Sequence, residues 1–292
     1  MEYRNMNNVS IEQRMNGEHP LVRLFKVHDL LAYFVLTFIF TFGGWLAAMF
    51  TGFGTLFDIG LWGPAFSAIL ITAVTRGMPG IKEIFRRLLH WRVRAKWYLI
   101  IFFGWPVISI LAALLHAQTT NQTISFHWDA WSATRTFLNS ALILGFWACE
   151  EIGWRGFALP RLLNRWNALF SSIVLGLVWW LWHLPFFVGT EGISPEFYPY
   201  VVLTVSISIL MTWVLNHTNG SVFVAIFFHF WINIYDAFQA DKLTLADPAG
   251  ETSIKYLLLA GAAILVVVLY GYRRFTRVRK SAVPLELNAT EL

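Results

Sequence analysis

The sequence predicts an all-α fold: a polytopic membrane helix bundle of about eight transmembrane helices, with N- and C-termini cytoplasmic. Three observations predict it. First, 57% of the 292 residues are hydrophobic and only 13% are charged, about half the charged fraction of a soluble domain. Second, runs such as Leu30 to Phe50 hold about twenty residues without a charge, the length that crosses a bilayer core and longer than a soluble core requires. Third, the cations fall on one side of the division into spans that these runs suggest.

Taken in order, residues 1–29 form a polar arm of mixed charge. No secretory signal is expected in it, because the first apolar run is too long for a signal core and lacks a small-residue cleavage pattern. Spans are expected at 30–50, 57–75, 97–117, 134–158, 168–189, 198–215, 221–239 and 255–272, the second interrupted by Asp58, Gly60, Gly63 and Pro64. With the N-terminus inside, nineteen Lys/Arg lie on the cytoplasmic side and three (Arg135, Lys242, Lys255) on the other, as the positive-inside rule requires. The net positive charge is thereby assigned to topology: membrane lipid is the expected partner, and nucleic acid is not. Ile81 to Trp97 reads as an amphipathic helix on the cytoplasmic leaflet, with Ile81, Ile84, Phe85, Leu88 and Leu89 set against Arg86, Arg87 and Arg92. Trp97 and Trp131, near span ends, read as an interfacial belt. Residues 30–272 form the bundle, with a catalytic core at about 137–240, and 273–292 a basic and then disordered tail. The single cysteine, Cys149, excludes an internal disulfide framework and reads as a small buried hydrophobe.

Ionisable groups inside spans are expensive and therefore informative. Glu150, Glu151 and Arg155 stand at the end of the fourth span, His183 in the fifth, and His229, Asn233 and Asp236 in the seventh. Glu151 and Arg155 are four apart and share a helix face. Glu150 is turned about 100° from Glu151 and so faces another neighbour. His229 and Asn233 share a face in the same way. Counted along straight helices at about 1.5 Å per residue, Glu150 and His229 lie roughly 12 Å below the cytoplasmic surface and His183 about 22 Å, a mismatch that requires the fifth helix to tilt or begin late.

A desolvated carboxylate is a fit general base for water, and His and Asn are donors able to stabilise an oxyanion. Acyl hydrolysis by activated water needs these groups and no nucleophilic Ser or Cys. Glu with two His is also a possible zinc set with an open position. No H-E-x-x-H motif is present, however, and Asn is a poor zinc ligand. A non-catalytic immunity or scaffold protein is a third reading, and a transporter is weaker because no repeated broken-helix pattern occurs.

The stretch "EEIGWRGFALPRL" resembles the E-E-x-x-x-R-G motif of the CPBP intramembrane proteases, which include the CAAX prenyl endopeptidases and bacterial Abi proteins. "LVWWLWHLP" resembles the family's second motif and "NHTNGSVFVAIFFHFWINI" its third, in the expected order. The resemblance implies glutamate-dependent endopeptidase chemistry without metal or other cofactor. It implies that Glu150 with His183 activates the water, that His229 and Asn233 form the oxyanion hole, and that Glu151 with Arg155 supports Glu150. It further implies a membrane-associated or lipid-modified protein substrate. Position 179 is Trp where the family pattern has Phe, an aromatic still able to meet the His183 ring. Asp236 lies outside the pattern and is assigned a supporting role. Short loops and the lack of a retention signal point to a bacterial plasma membrane.

Overall fold

The computed structural model describes residues 19–121, 125–126, 131, 134–135, 137–139, 141, 148–244 and 248–276. Residues 1–18 of the N-terminal arm, residues 136, 140 and 142–147 of the fourth expected span, and the tail beyond 276 lie outside them.

The described chain is all-helical apart from two short antiparallel pairs. It runs α1 (Pro20–Val27), α2 (Asp29–Thr51), α3 (Thr55–Gly60), α4 (Gly63–Leu88) and α5 (Ala95–Thr120). A 3-10 turn (Ala148–Glu150) leads into α6 (Glu151–Gly153), a π-helical turn (Trp154–Ala158) and α7 (Leu159–Arg165). Then follow α8 (Ala168–Trp182), α9 (Phe197–His217), α10 (Val222–Lys242) and α11 (Pro248–Tyr270). Ser125–Phe126 pairs with Leu243–Thr244, and Val188–Gly189 with Gly192–Ile193.

Among the described residues, four helices are long and apolar enough to cross a membrane: Asp29–Thr51, Ala95–Thr120, Phe197–His217 and Gly250–Tyr270. Ala168–Trp182 and Val222–Phe238 are shorter apolar helices. The chain is an integral membrane protein of helical architecture. The second expected span is α3 followed by the first part of α4, broken where Gly60 and Gly63 leave the chain thin. The fifth ends earlier than its apolar run, because Pro185 has no N–H to continue the ladder; His183 caps α8, and Leu184–Phe187 is a 3-10 turn.

The segment expected to lie as one amphipathic helix from Ile81 to Trp97 is instead the end of α4. That helix kinks at Gly77, whose φ is 60°, and stops at Leu88; Arg94, extended, opens α5. Trp97 does not belong to an interfacial belt: it is buried edge-on against Trp213, ring centroids 4.9 Å apart. Trp131 is exposed, as a belt position requires.

Helices in lipid associate by close contact and polar pairing rather than by the hydrophobic effect, and both devices are present. Gly176 on α8 meets α9 so closely that a Cβ would stand 2.6 Å from Val205 Cα. Ser172 donates to Thr212 Oγ1 at 2.8 Å across the same seam. Trp182 Nε1 donates to Thr41 Oγ1 at 2.8 Å, tying the end of α8 to α2. Gly153 fits against the Pro64 carbonyl and the Tyr33 hydroxyl, where a Cβ has no room, so the turn bearing the glutamates seats directly on α2 and α4.

Candidate active site

The glutamates sit where the helical winding changes twice in a few residues. The 3-10 turn delivers Glu150, α6 begins at Glu151, and the π turn carries Arg155. Leu159 N–H donates to the Trp154 carbonyl five residues back, the mark of the widened turn. Pro160 helps to cause it, because it lacks the amide that would close a normal bond to Gly156.

The expected division of labour between the carboxylates is visible in the contacts. Arg155 Nη1 donates to both oxygens of Glu151, at 2.8 and 2.9 Å, and both residues are fully buried. Arg155 Nη2 also donates to Ser208 Oγ on α9, at 3.0 Å. Glu150 takes a different set of partners. Its Oε2 accepts from Trp154 Nε1 at 2.8 Å and from Trp179 Nε1 at 3.1 Å.

His229, on α10, joins the two glutamates. Its Nδ1 lies 2.9 Å from Glu151 Oε1, and its Nε2 lies 3.6 Å from Glu150 Oε1. A carboxylate already held by a guanidinium accepts hydrogen bonds and donates none, so His229 carries a proton on Nδ1. On the other side, a bare Nε2 would point its lone pair at a carboxylate, so that contact is favourable only with a proton between the two atoms. The site therefore has a place to hold a proton at the Glu150 oxygen that the indoles leave open.

His183 completes the group by a different route. Its Nδ1 lies 2.7 Å from the Trp179 carbonyl, which only accepts, so the proton is on Nδ1 and Nε2 is left as an acceptor. It makes no ion-pair contact with Glu150; the histidine at that distance is His229. Trp179 meets Glu150, both histidines and Arg155. Its ring lies 5.2 Å from that of His183 and 5.4 Å from that of His229, and Arg155 stands 4.6 Å over its face. One indole therefore reaches both histidines, although they stand on different helices.

Asn233 is half-buried one turn beyond His229 on α10, so the two side chains share a face. Asp236 is engaged elsewhere: it accepts from Trp105 Nε1 at 2.9 Å and meets Lys255 Nζ at 3.6 Å, linking α10 to α5 and α11 rather than supporting Glu150. Cys149 is half-buried rather than buried. Sequence reasoning passed over Trp154 and Ser208. Trp154 had one detectable signal, its four-residue spacing from Glu150; Ser208 had none, lying in a span without charges.

Chemically, the cluster holds a carboxylate oxygen at Glu150 Oε1 and an imidazole acceptor at His183 Nε2, with His229 between the two glutamates and Asn233 one turn farther along α10. Those are the groups needed to take a proton from water and to meet an oxyanion.

Comparison with known proteins bears on the same residues. The family model described as type II CAAX prenyl endopeptidase Rce1-like matches residues 128–235, which contain every residue of the Glu150 cluster. The CAAX prenyl protease 2 of Methanococcus maripaludis is 24% identical over 262 residues, covering 83% of this chain and 94% of that protein. Motif order, the match over residues 128–235 and the long alignment agree: the chain is similar to the Rce1-like CAAX prenyl endopeptidases.

Proposed function

We propose that the protein is an intramembrane endopeptidase that hydrolyses a peptide bond near the C-terminus of a lipid-modified, CAAX-type protein. Glu150 Oε1 takes one proton from the attacking water as its oxygen bonds to the scissile carbonyl carbon, His183 Nε2 accepts a hydrogen bond from the water's other O–H, and the proton on Glu150 passes to the departing amine nitrogen as the C–N bond breaks. His229 and Asn233 face the oxyanion, and Glu151 with Arg155 holds His229 in its tautomer. The observation that carries this reading is the contrast between the two carboxylates: Glu151 is neutralised by Arg155, whereas Glu150 is held by neutral indoles and keeps one oxygen open. The relative's name, a prenyl protease, supports the substrate class. We further read eight spans with both termini inside, the site opening toward the cytoplasmic half of a bacterial plasma membrane; the asymmetry of nineteen cations against three supports that orientation.

The test uses a farnesylated peptide ending in Cys-aliphatic-aliphatic-X, with purified protein in vesicles. Glu150→Gln, His183→Ala and His229→Ala are each expected to abolish cleavage while the proteins insert normally. Wild-type turnover by Glu150→Gln rejects the mechanism.

A further inference from the structure

Seven cations lie between Arg76 and Lys96, and six of them are exposed. Arg87 is buried, and its guanidinium faces the protein interior. Nε donates to the Gly220 carbonyl at 2.9 Å, Nη1 to the Gly156 carbonyl at 2.8 Å and Nη2 to the Arg155 carbonyl at 3.2 Å. All three acceptors are backbone atoms, and they belong to the two segments that carry the site.

The Arg155 and Gly156 carbonyls lie where Pro160 interrupts the helical ladder, and the Gly220 carbonyl lies before the next helix begins. For Arg155 the amide four residues on is Leu159, which is engaged with Trp154, and the one five on is Pro160, which has no N–H. For Gly156 the amide four residues on is again Pro160. Gly220 precedes Ser221, whose side chain caps α10 by accepting from Val224 N at 3.1 Å, so its carbonyl lies outside the helical ladder. Buried carbonyls without partners are costly. A planar guanidinium with five N–H groups serves three of them at once, which a lysine ammonium on the same stem cannot do in the same plane. Gly220 is shaped for this contact: its φ is +68°, and a Cβ there would stand 3.2 Å from Arg87 Nη2. Burial lowers the Arg87 guanidinium to about 10, so it remains charged at neutral pH.

We infer that Arg87 is a positioning residue of the active site, fixing the turn that bears Glu150, Glu151 and Arg155 against the start of the helix that bears His229 and Asn233. The inference rests on the endopeptidase reading above. Two paths from Arg87 meet at His229. One runs through the Arg155 backbone and the Glu151 carboxylate to Nδ1, and the other through Gly220 and α10. Displacing the guanidinium changes the separation of His229 from Glu150 while leaving both side chains in place.

The test compares Arg87→Lys, Pro160→Ala and the double variant in vesicles, with the farnesylated peptide as probe and exposed Arg86→Gln as control. Arg87→Lys is expected to lower kcat roughly ten- to a hundredfold, the scale of a small misplacement of reacting groups, with KM little changed. Pro160→Ala restores one amide, four residues on from Gly156 and five on from Arg155, so the double variant recovers part of the lost kcat. A merely structural role for Arg87 predicts no such recovery. Wild-type kcat in Arg87→Lys, strictly additive losses in the double variant, or a raised KM at constant kcat would each overturn the inference. If Arg87→Lys does not assemble, Gly220→Asn keeps the left-handed backbone and presses a Cβ on the guanidinium. The same kcat loss is expected from it, and unchanged kcat there overturns the inference. Glu150→Gln run alongside separates the two ideas: a dead Glu150→Gln with an unaffected Arg87→Lys removes only the role of Arg87, whereas an active Glu150→Gln removes the endopeptidase reading.

Discussion

Trp179 donates its indole N–H to the same oxygen of Glu150 that Trp154 holds, at 3.1 and 2.8 Å. A carboxylate oxygen has two lone pairs, so Oε2 is filled and Oε1, which faces His229 Nε2 at 3.6 Å, keeps a lone pair to act on water.

Trp179→Phe keeps an aromatic face for His183 but removes this N–H. Hydrogen bonds to charged groups are worth about 1.5–3 kcal/mol, and Trp154 remains in place, so kcat is expected to fall about tenfold with KM steady. Steady-state cleavage of the farnesylated peptide measures it; a variant as fast as the wild type would show that the second indole is idle.

Ser208→Ala and Glu151→Gln separate two kinds of support for Arg155. Removing the Ser208 hydroxyl loses one hydrogen bond, and a stability decrease of about 1 kcal/mol is expected. Glu151→Gln leaves a buried guanidinium without its counter-charge, and the expected decrease is about 3–5 kcal/mol. Thermal unfolding in detergent ranks them, and equal losses would contradict the neutralised-pair description.

Asp236→Asn keeps an acceptor for Trp105 but loses the charge that faces Lys255. Lower thermal stability is expected with turnover within roughly twofold of wild type, as for distant sites without shared partners. A collapse of kcat would restore to Asp236 the supporting role that the sequence suggests.

Cleavage is expected to continue in the presence of a metal chelator. Activity that vanishes on chelation and returns with zinc would favour the Glu/His metal reading instead.

Much of the site was legible because lipid makes polar residues conspicuous. The spacing of Glu151 and Arg155 predicts their ion pair, and the angular offset of Glu150 predicts its separate partners; both are found. The spacing could not show that His229 links the two carboxylates, since that depends on how α10 rests against residues 148–158. Trp154 was passed over, and Trp179 was read only as an aromatic against His183, because an indole N–H is polar only in a particular rotamer with a particular neighbour. Ser208 was hidden for a related reason: hydroxyls in apolar helices usually bond their own backbone. Arg87 was counted for its sign, as an orientation charge, and nothing in its own segment indicates that two carbonyls about seventy residues away need it. The eight expected spans followed apolar run length, which does not register that Pro185 ends a helix in the middle of such a run.

The early end of α8 also bears on the bilayer. Its 15 residues rise only about 22 Å, against a hydrocarbon thickness of about 30 Å. Read as a span, α8 is several ångströms too short, and a short span is accommodated by thinning of the surrounding lipid. His183 caps this short helix, so on that reading thinned lipid would bring headgroups and their hydration closer to it. On this view, membrane thickness acts as a physical control on how readily water reaches Glu150.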